Sequence, residues 1–184
     1  ARTMTVLRGL QRCLLSWTWI LLLNVTPGHA HELNGTEVAT SSYLSITYRS
    51  LSGRYEIQFG ELSAFEQRKR MDADGSGTIT ASERNDYLQT VGDELAARLL
   101  LEVEGKPITI RLHHGRMIPD DSLVAPGPLA LSFRLTTEVL DFTRGCTLVY
   151  RDTNSHSRLV HSEVVVEGME RVDIDRWQEV GADA

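Results

Sequence analysis

The chain has 184 residues, of which 41% are hydrophobic, so it can bury a core of its own and the composition argues against an intrinsically disordered protein. It carries 25 acidic against 19 basic residues, a net charge of −6, which argues against nucleic acid as a partner. The length suits one domain with a short leader.

Residues 1–30 have the pattern of a signal peptide. Two arginines precede an apolar run over 13–25, and Gly28 and Ala30 are the small residues that a signal peptidase requires. The run is about 13 residues long, short of the roughly 20 that cross a bilayer, so cleavage after Ala30 is favoured over an uncleaved membrane anchor. The mature domain, 31–184, would be exported to the periplasm or secreted. It would have a net charge of −9, because the leader contains three basic residues and no acidic ones.

The first elements of the mature domain are a hairpin and a helix pair. Residues 42–50 and 53–60 alternate in period two around Leu51 and Ser52, which predicts a β-hairpin with its turn there. Residues 62–71 are helical in pattern but polar. After a Gly-rich loop, a second helical pattern has an apolar stripe formed by Leu88, Val91, Leu95 and Leu99.

The rest of the chain predicts strands. Two alternating arms within 100–114 meet at a turn at residues 104–106, where Gly105 can adopt a positive φ. Residues 119–128 are rich in Pro, Gly and Asp and predict the longest loop. Further strands are predicted at 129–139, 146–152 and 158–168, followed by a frayed acidic tail at 169–184. The predicted fold class is therefore α+β, a mainly antiparallel β-sandwich with one helix-loop-helix inserted after the first hairpin.

The stretch "DADGSGTITASE", residues 72–83, has the spacing of a calcium-binding loop. Such a loop has oxygen ligands at positions 1, 3, 5, 7, 9 and 12 and a glycine at position 6. Gly77 occupies position 6, and Ile79 occupies position 8, which usually packs inward. The candidate metal ligands are Asp72, Asp74, Ser76, the carbonyl of Thr78, Thr80 and Glu83. The alternative is a surface turn between two helices, but such turns seldom carry acids at positions 1, 3 and 12 as well as this glycine.

Residues 71–88 resemble an EF-hand, and with its helices the unit covers about 62–99. The resemblance implies Ca²⁺ coordinated by the six candidate ligands, with Thr80 acting directly or through a water. Arg68 and Arg84 stand where EF-hands usually have apolar residues that pack the two helices together. A second hand is also missing, so the β-domain, or a second copy in a homodimer, would have to take its place.

A longer stretch, 31–167, is similar to the extracytoplasmic domain that precedes the membrane-spanning part of bacterial nickel/cobalt exporter-like permeases. The similarity lies in the order of His31, two strands, the loop at 72–83, a helix, "LEVEGKPITIRL" and "LVYRD". It implies an alternative function, a metal-sensing or accessory domain whose partner is a membrane transporter or another exported protein.

Histidines would form a second metal site only if the fold brought them together. His113 and His114 are neighbours on a predicted strand, so their side chains point to opposite faces unless a bulge intervenes. His31 would begin the mature chain, where its amine and imidazole could chelate copper or nickel. His156 and His161 lie on a turn and the strand after it. The simpler interpretation is that these histidines are solvated or lie at the edge of the core.

No sequence motif predicts catalysis. A nucleophile elbow, an H-E-x-x-H pair and a Gly-rich phosphate loop are all missing from the sequence. Cys146 begins a β-branched and aromatic run and is predicted to be a small buried hydrophobe, with no second cysteine in the mature domain for a disulfide. An enzyme whose residues converge from distant positions stays an alternative. We predict an exported, non-enzymatic calcium-binding domain in which the ion has a structural or regulatory role.

Overall fold

The computed structural model describes residues 2–6, 35–118, 127–140, 142, 146–154, 159–169, 172–174 and 176–179. Within them the chain forms two helices, α1 (Glu61–Met71) and α2 (Ala81–Ala96). It also forms the strands β1 (Arg2–Val6), β2 (Val38–Ile46), β3 (Leu51–Phe59), β4 (Leu99–Val103), β5 (Lys106–Ile108), β6 (Ile110–Ile118), β7 (Leu129–Thr137), β8 (Cys146–Asp152), β9 (Leu159–Gly168) and β10 (Arg176–Glu179). The protein is mostly β with two helices, consistent with the predicted α+β class.

The strands form two five-stranded sheets. The first has the order β10-β1-β8-β4-β5, and the second has the order β6-β7-β3-β2-β9. The described strand pairs are antiparallel, apart from β2 and β9, which are parallel. Parallel neighbours need a long crossover connection. The connection from β2 to β9 contains all elements from β3 to β8. The pairing is therefore mainly antiparallel, as predicted, with one parallel pair that the sequence pattern does not reveal.

The hairpin before the helices lies where the alternating pattern predicts it, but its turn is different. β2 and β3 pair along their whole lengths, and Leu51, predicted to lie in the turn, is the first residue of β3. The turn is formed by residues 47–50, where Thr47 Oγ1 accepts hydrogen bonds from the backbone N–H groups of Arg49 (3.2 Å) and Ser50 (3.0 Å). The prediction was wrong here because Thr47 stabilises an earlier turn, which allows Leu51 to be buried.

The core contains side chains from both sheets and from both helices. Tyr55 on β3 is completely buried, and its hydroxyl donates a 3.0 Å hydrogen bond to Asp152 Oδ2 on β8. Burial, followed by the charge of Asp152, raises the pKa of Tyr55 far above its usual value, so the phenol stays protonated. Ser42 Oγ on β2 and the Tyr150 hydroxyl on β8 lie 2.9 Å apart. These two contacts connect the second sheet to the first.

The chain after α2 divides into three strands instead of the two predicted. β4 and β5 form a hairpin in the first sheet, whereas β6 belongs to the second sheet. The hairpin turns at Glu104 and Gly105, with φ of 50° and 72°, so the predicted positive φ at Gly105 is confirmed. The second arm is interrupted at Thr109, where the chain passes from one sheet to the other. Alternation predicts an extended chain but not the sheet it joins, which is why this break was missed.

The later strands agree with the sequence pattern more closely than the chain ends do. β7, β8 and β9 lie within or at the predicted segments. The predicted frayed tail was wrong at residues 176–179, which form β10 and pair with β1. β1 itself lies within the predicted leader, so cleavage after Ala30 would remove a strand of the first sheet. Residues 7–34, and 119–126 of the predicted long loop, lie outside the described residues.

α2 packs closely against the second sheet. A Cβ placed on Gly92 would lie 3.3 Å from Phe133 Cε1 on β7 and 3.4 Å from the Leu112 carbonyl oxygen on β6. The predicted apolar stripe is buried, although its last member already belongs to β4; it consists of Leu88, Val91, Leu95 and Leu99. Across the described residues, neither helix is long and apolar enough to cross a membrane.

Candidate metal centre

The candidate loop is held at both ends by the helices it connects. α1 ends at Met71 and is capped by Asp72, whose backbone N–H donates to the Arg68 carbonyl at 3.1 Å. α2 is capped by Thr80, whose hydroxyl accepts from the Glu83 N–H at 3.2 Å, while Glu83 Oε2 accepts from the Thr80 N–H at 2.8 Å. This reciprocal pair is a capping box. It fixes the predicted bidentate ligand Glu83 in the first turn of α2, where the helix dipole favours a negative charge.

The Glu83 carboxylate also joins the end of the loop to its beginning. Its Oε1 accepts hydrogen bonds from the backbone N–H groups of Ala73 at 3.0 Å and Asp74 at 3.4 Å. Its Oε2 also accepts a 2.7 Å hydrogen bond from the Thr80 hydroxyl. Hydrogen bonds to the ionised form, led by the one from the Thr80 backbone, lower the pKa of Glu83. The carboxylate is therefore ionised and oriented towards the first ligand positions.

Two glycines give the loop its sharp turn. Gly75 and Gly77 have φ of 69° and 79°, a conformation that is costly for residues with a Cβ. The Gly77 N–H donates to Asp72 Oδ2 at 2.8 Å, and the Ser76 N–H donates to Asp74 Oδ1 at 2.9 Å. The bond from Ser76 is the main reason why the pKa of Asp74 is lowered. The turn therefore points backbone donors at both acids and keeps Asp74 charged.

Three carboxylates converge inside this loop. Asp72, Asp74 and Glu83 each offer an oxygen, and the three oxygens lie within 4.8 Å of one another. Asp72 Oδ1 is buried and has no hydrogen-bond partner, the one such side-chain atom found among the described residues. An unpaired buried carboxylate oxygen is unfavourable unless a cation or a donor faces it. The donor set, charge and orphaned oxygen therefore fit a divalent cation that prefers oxygen ligands.

The other three predicted ligands lie in the same loop but make hydrogen bonds within it. Ser76 Oγ donates to the Thr78 carbonyl at 3.2 Å and accepts from the Thr78 N–H at 3.3 Å. The Thr80 hydroxyl is used in the capping box described above. The structure thus brings together the three charged ligands, while Ser76, Thr78 and Thr80 stay predicted ligands.

Polar contacts hold the two helices together where an EF-hand would usually have apolar ones. The Tyr87 hydroxyl donates to Gln67 Oε1 at 2.7 Å, and Arg70 forms an ion pair of 3.3 Å with Glu94. Arg68, a departure noted in the sequence, donates a 2.9 Å hydrogen bond to the carbonyl of Gly127, before β7. These contacts were not predicted, because they depend on which helix faces meet.

The loop itself is anchored to the core through Ile79. This side chain is partly buried and packs against the hydrophobic cluster, as predicted for position 8. The described contact is therefore made to the chain's own hydrophobic core.

The histidine pair differs from the prediction because β6 contains a bulge. The pairing of β6 with β7 shifts between His113 and Arg116, and His114 adopts φ of 50°. The two imidazole rings consequently lie with their centroids 4.8 Å apart in an edge-to-face arrangement, rather than on opposite faces of a regular strand. His31 and His156 lie outside the described residues. Within the described part of the chain, the carboxylate cluster is the one group of metal-ligating side chains found.

Cys146 is buried at the start of β8, as predicted from its sequence context. Burial, with a smaller contribution from the charge of Glu104, raises the pKa of its thiol. The thiol is therefore protonated at neutral pH and poorly suited to act as a nucleophile.

Comparison with known proteins adds no relative: no family model, curated protein or solved structure matches this chain.

Proposed function

We propose that this protein is a non-enzymatic calcium-binding domain with a single EF-hand-type site in the loop between α1 and α2. The observation that carries the proposal is the unpaired, buried Asp72 Oδ1, which lies within a cluster that also contains Asp74 and Glu83. Binding of Ca²⁺ would offset most of the negative charge of the three acids and give this oxygen a partner. Ser76, the Thr78 carbonyl and Thr80 would complete the coordination.

The chemistry of the donors favours calcium over nickel or cobalt. The candidate ligands are all oxygen atoms, which suit Ca²⁺, whereas imidazole nitrogen suits Ni²⁺ better. The described histidines at 113, 114 and 161 are on strands and do not belong to the carboxylate cluster. Calcium binding is therefore preferred to the alternative of a nickel- or cobalt-sensing accessory domain of a membrane transporter.

We propose that bound calcium acts as a structural staple and not as a conformational switch. A sensor EF-hand opens to expose an apolar groove, which requires a second packing of similar free energy. Here α2 is embedded in the core along its buried stripe, and the described α1–α2 contacts include a hydrogen bond, an ion pair and a cation–π contact of Arg70 with Tyr87. Opening the pair would expose little apolar surface between the helices and would break polar contacts.

The remaining parts of the proposal concern architecture and location. The contacts Tyr55–Asp152 and Ser42–Tyr150, together with the shared core, support a β-sandwich. The small residues before His31 and the apolar run preceding them support export to the periplasm or the exterior. Calcium is abundant outside cells, where weak sites with a dissociation constant on the order of 10⁻⁴ to 10⁻³ M are typical of such modules.

Calorimetric titration of the full chain with calcium, magnesium and nickel in turn tests this function. We expect one weak calcium site, weaker magnesium binding and no nickel binding of comparable affinity. Glu83→Gln, which removes one carboxylate oxygen but keeps the side-chain length, should abolish the calcium signal. Asp93→Asn, near the end of α2, is the control that removes a charge outside the loop. Nickel binding tighter than calcium binding, or an unchanged calcium signal in Glu83→Gln, would contradict the proposal.

A further inference from the structure

The outer face of the second sheet carries a row of basic side chains. Phe133 and Leu135 are buried, so Arg134 between them on β7 points away from the core. The strand register places Arg54 of β3 directly opposite Arg134 on one side and His113 of β6 on the other. Directly opposed side chains on neighbouring strands have Cβ atoms about 4.5 to 5.5 Å apart, and like charges there are unfavourable. Arg134 thus lies between two other basic groups.

The bulge in β6 brings further basic groups to the same place. His114 has a positive φ, which is uncommon for a residue other than glycine. Beyond the bulge, Arg116 pairs with Ser132, two residues before Arg134 on β7 and on the same face. A cavity of about 510 Å³ lies here, lined among others by Arg54, His114, Arg116, Ser132 and Arg134. Backbone strain that re-aims a side chain into a cavity is a frequent feature of binding sites.

The positive charge in this cavity is poorly balanced. Arg54 is paired with Glu56 at 3.1 Å and stacks over the Tyr43 ring at 4.6 Å, which holds its position. In the part of the chain that the structure describes, Arg116 and Arg134 form no ion pair. The local excess of cations is notable because the protein as a whole has a net charge of −6.

The titration of the neighbouring histidine is consistent with this positive field. The pKa of His113 is lowered, first by burial and then by the charges of His114, Arg134 and Arg111. Two independent features, the strand register and the cavity, therefore place three guanidinium groups around one space, where Glu56 is the one acid that pairs with them among the described residues.

We propose that this cavity is a binding site for a phosphate group carried by a small molecule. Guanidinium groups match the oxygens of phosphate with pairs of charge-assisted hydrogen bonds, and Ser132 adds a hydroxyl donor. The cavity is within the size range of small-molecule pockets and larger than a bare phosphate requires. A bound dianion also offsets the repulsion between Arg54 and Arg134. This site is independent of the calcium loop.

Titration calorimetry of the full chain without added calcium tests the site, at constant ionic strength set with chloride. The probes are inorganic phosphate, glycerol 3-phosphate, and phosphatidylcholine vesicles with and without phosphatidic acid. We expect both soluble phosphates to bind, with glycerol 3-phosphate at least as tight. If the protein binds only the vesicles that contain phosphatidic acid, the phosphate belongs to a lipid headgroup and the small-molecule proposal is wrong. If no probe binds, the cavity is not a phosphate site.

Arginine variants identify where the phosphate binds. Arg134→Gln and Arg116→Gln should each raise the dissociation constant about tenfold or more, because each loses a charge-assisted contact. Arg151→Gln, an exposed strand arginine in the first sheet, is the matched control and should bind normally. Arg134→Gln should not lower Tm, because it removes the repulsion between Arg134 and the directly opposed Arg54. A thermal melt of this variant therefore also shows that it is folded. Equal losses in Arg151→Gln and Arg134→Gln would refute the assignment.

Discussion

Replacing Asp72 with asparagine should stabilise the calcium-free protein and remove its response to calcium. In the described structure, Asp72 Oδ2 accepts from the Gly77 N–H, whereas Oδ1 is buried without a partner. Asparagine keeps one carbonyl oxygen for Gly77 and places an amide donor where Oδ1 was. That donor faces a cluster of carboxylate oxygens within 4.8 Å, formed with Asp74 and Glu83. The substitution therefore replaces the unpaired oxygen of the calcium-free loop with a group that can hydrogen-bond. It also removes one negative charge from the proposed calcium site.

The two opposing effects have different sizes. A buried acceptor without a partner costs about 1 to 3 kcal/mol, and the half-buried Asp72 belongs at the lower end, about 1 kcal/mol. For a protein of this size, 1 kcal/mol shifts Tm by roughly 2 to 4 °C. Calcium at a hundred times its dissociation constant adds about 2.7 kcal/mol to the native state, or roughly 5 to 11 °C. We therefore expect the variant to melt higher than wild type in chelator and lower than wild type in saturating calcium.

Thermal melts of both proteins in chelator and in calcium, at matched ionic strength, would show this reversal. Asp86→Asn, an exposed acid of α2, is the charge-matched control and should keep the wild-type calcium response. A variant that still gains several degrees in calcium would show that Asp72 is not a ligand. A calcium-free variant well below wild type would show that Asp72 instead holds the loop together on its own.

Three more predictions concern the loop and the leader. Loop hydrogen bonds lower the native-state pKa of Asp74 and Glu83 below the ordinary values of 3.8 and 4.5. The stability that these two ionised carboxylates contribute is therefore complete above the ordinary values and is lost as the pH falls through the lowered ones. The calcium-dependent rise in Tm should accordingly stay constant from neutral pH down to these ordinary values and be lost only as the pH falls below them, as measured by melts across pH. Gly77→Ala should cost about 1 kcal/mol through its positive φ and also weaken calcium binding in the titration, whereas Gly105→Ala, at a similar φ in the β4–β5 turn, should cost the same and leave calcium binding unchanged. Mass spectrometry of the exported protein should find His31 as its first residue, and an intact apolar run would favour the membrane-anchored form instead.

Features that depend on neighbouring residues were predicted well from the sequence. The alternating pattern located the first hairpin, and a glycine located the β4–β5 turn, where Gly105 has φ of 72°. The apolar stripe of α2 is buried as its helical spacing indicates. The loop at 72–83 is equally local, because its three acidic candidate ligands come from twelve consecutive residues and converge once two helices flank them.

Features that depend on which strands meet could not be read from the pattern. The parallel pairing of β2 with β9 and the pairing of β10 with β1 join segments that are distant in sequence. The cationic cavity has the same origin, since Arg54 and Arg134 become neighbours only through the register of β3 and β7. A bulge brings the adjacent His113 and His114 together, but no residue in β6 predicts where a bulge forms.

α2 connects the two proposed sites through one packing arrangement. It begins at Ala81, within the last residues of the loop, and packs against the bulged strand, where a Cβ on Gly115 would lie 3.2 Å from Leu88 Cβ and 2.7 Å from Phe133 Cε1. Gly115 directly follows His114, so the position of the bulge depends on α2 being in place. A ligand changes a conformational equilibrium only through its different affinity for two states. The buried stripe and these close contacts leave α2 no second way to pack. Calcium at the loop would therefore stabilise the arrangement that already supports the cavity. We infer that it does so without changing the cavity's shape.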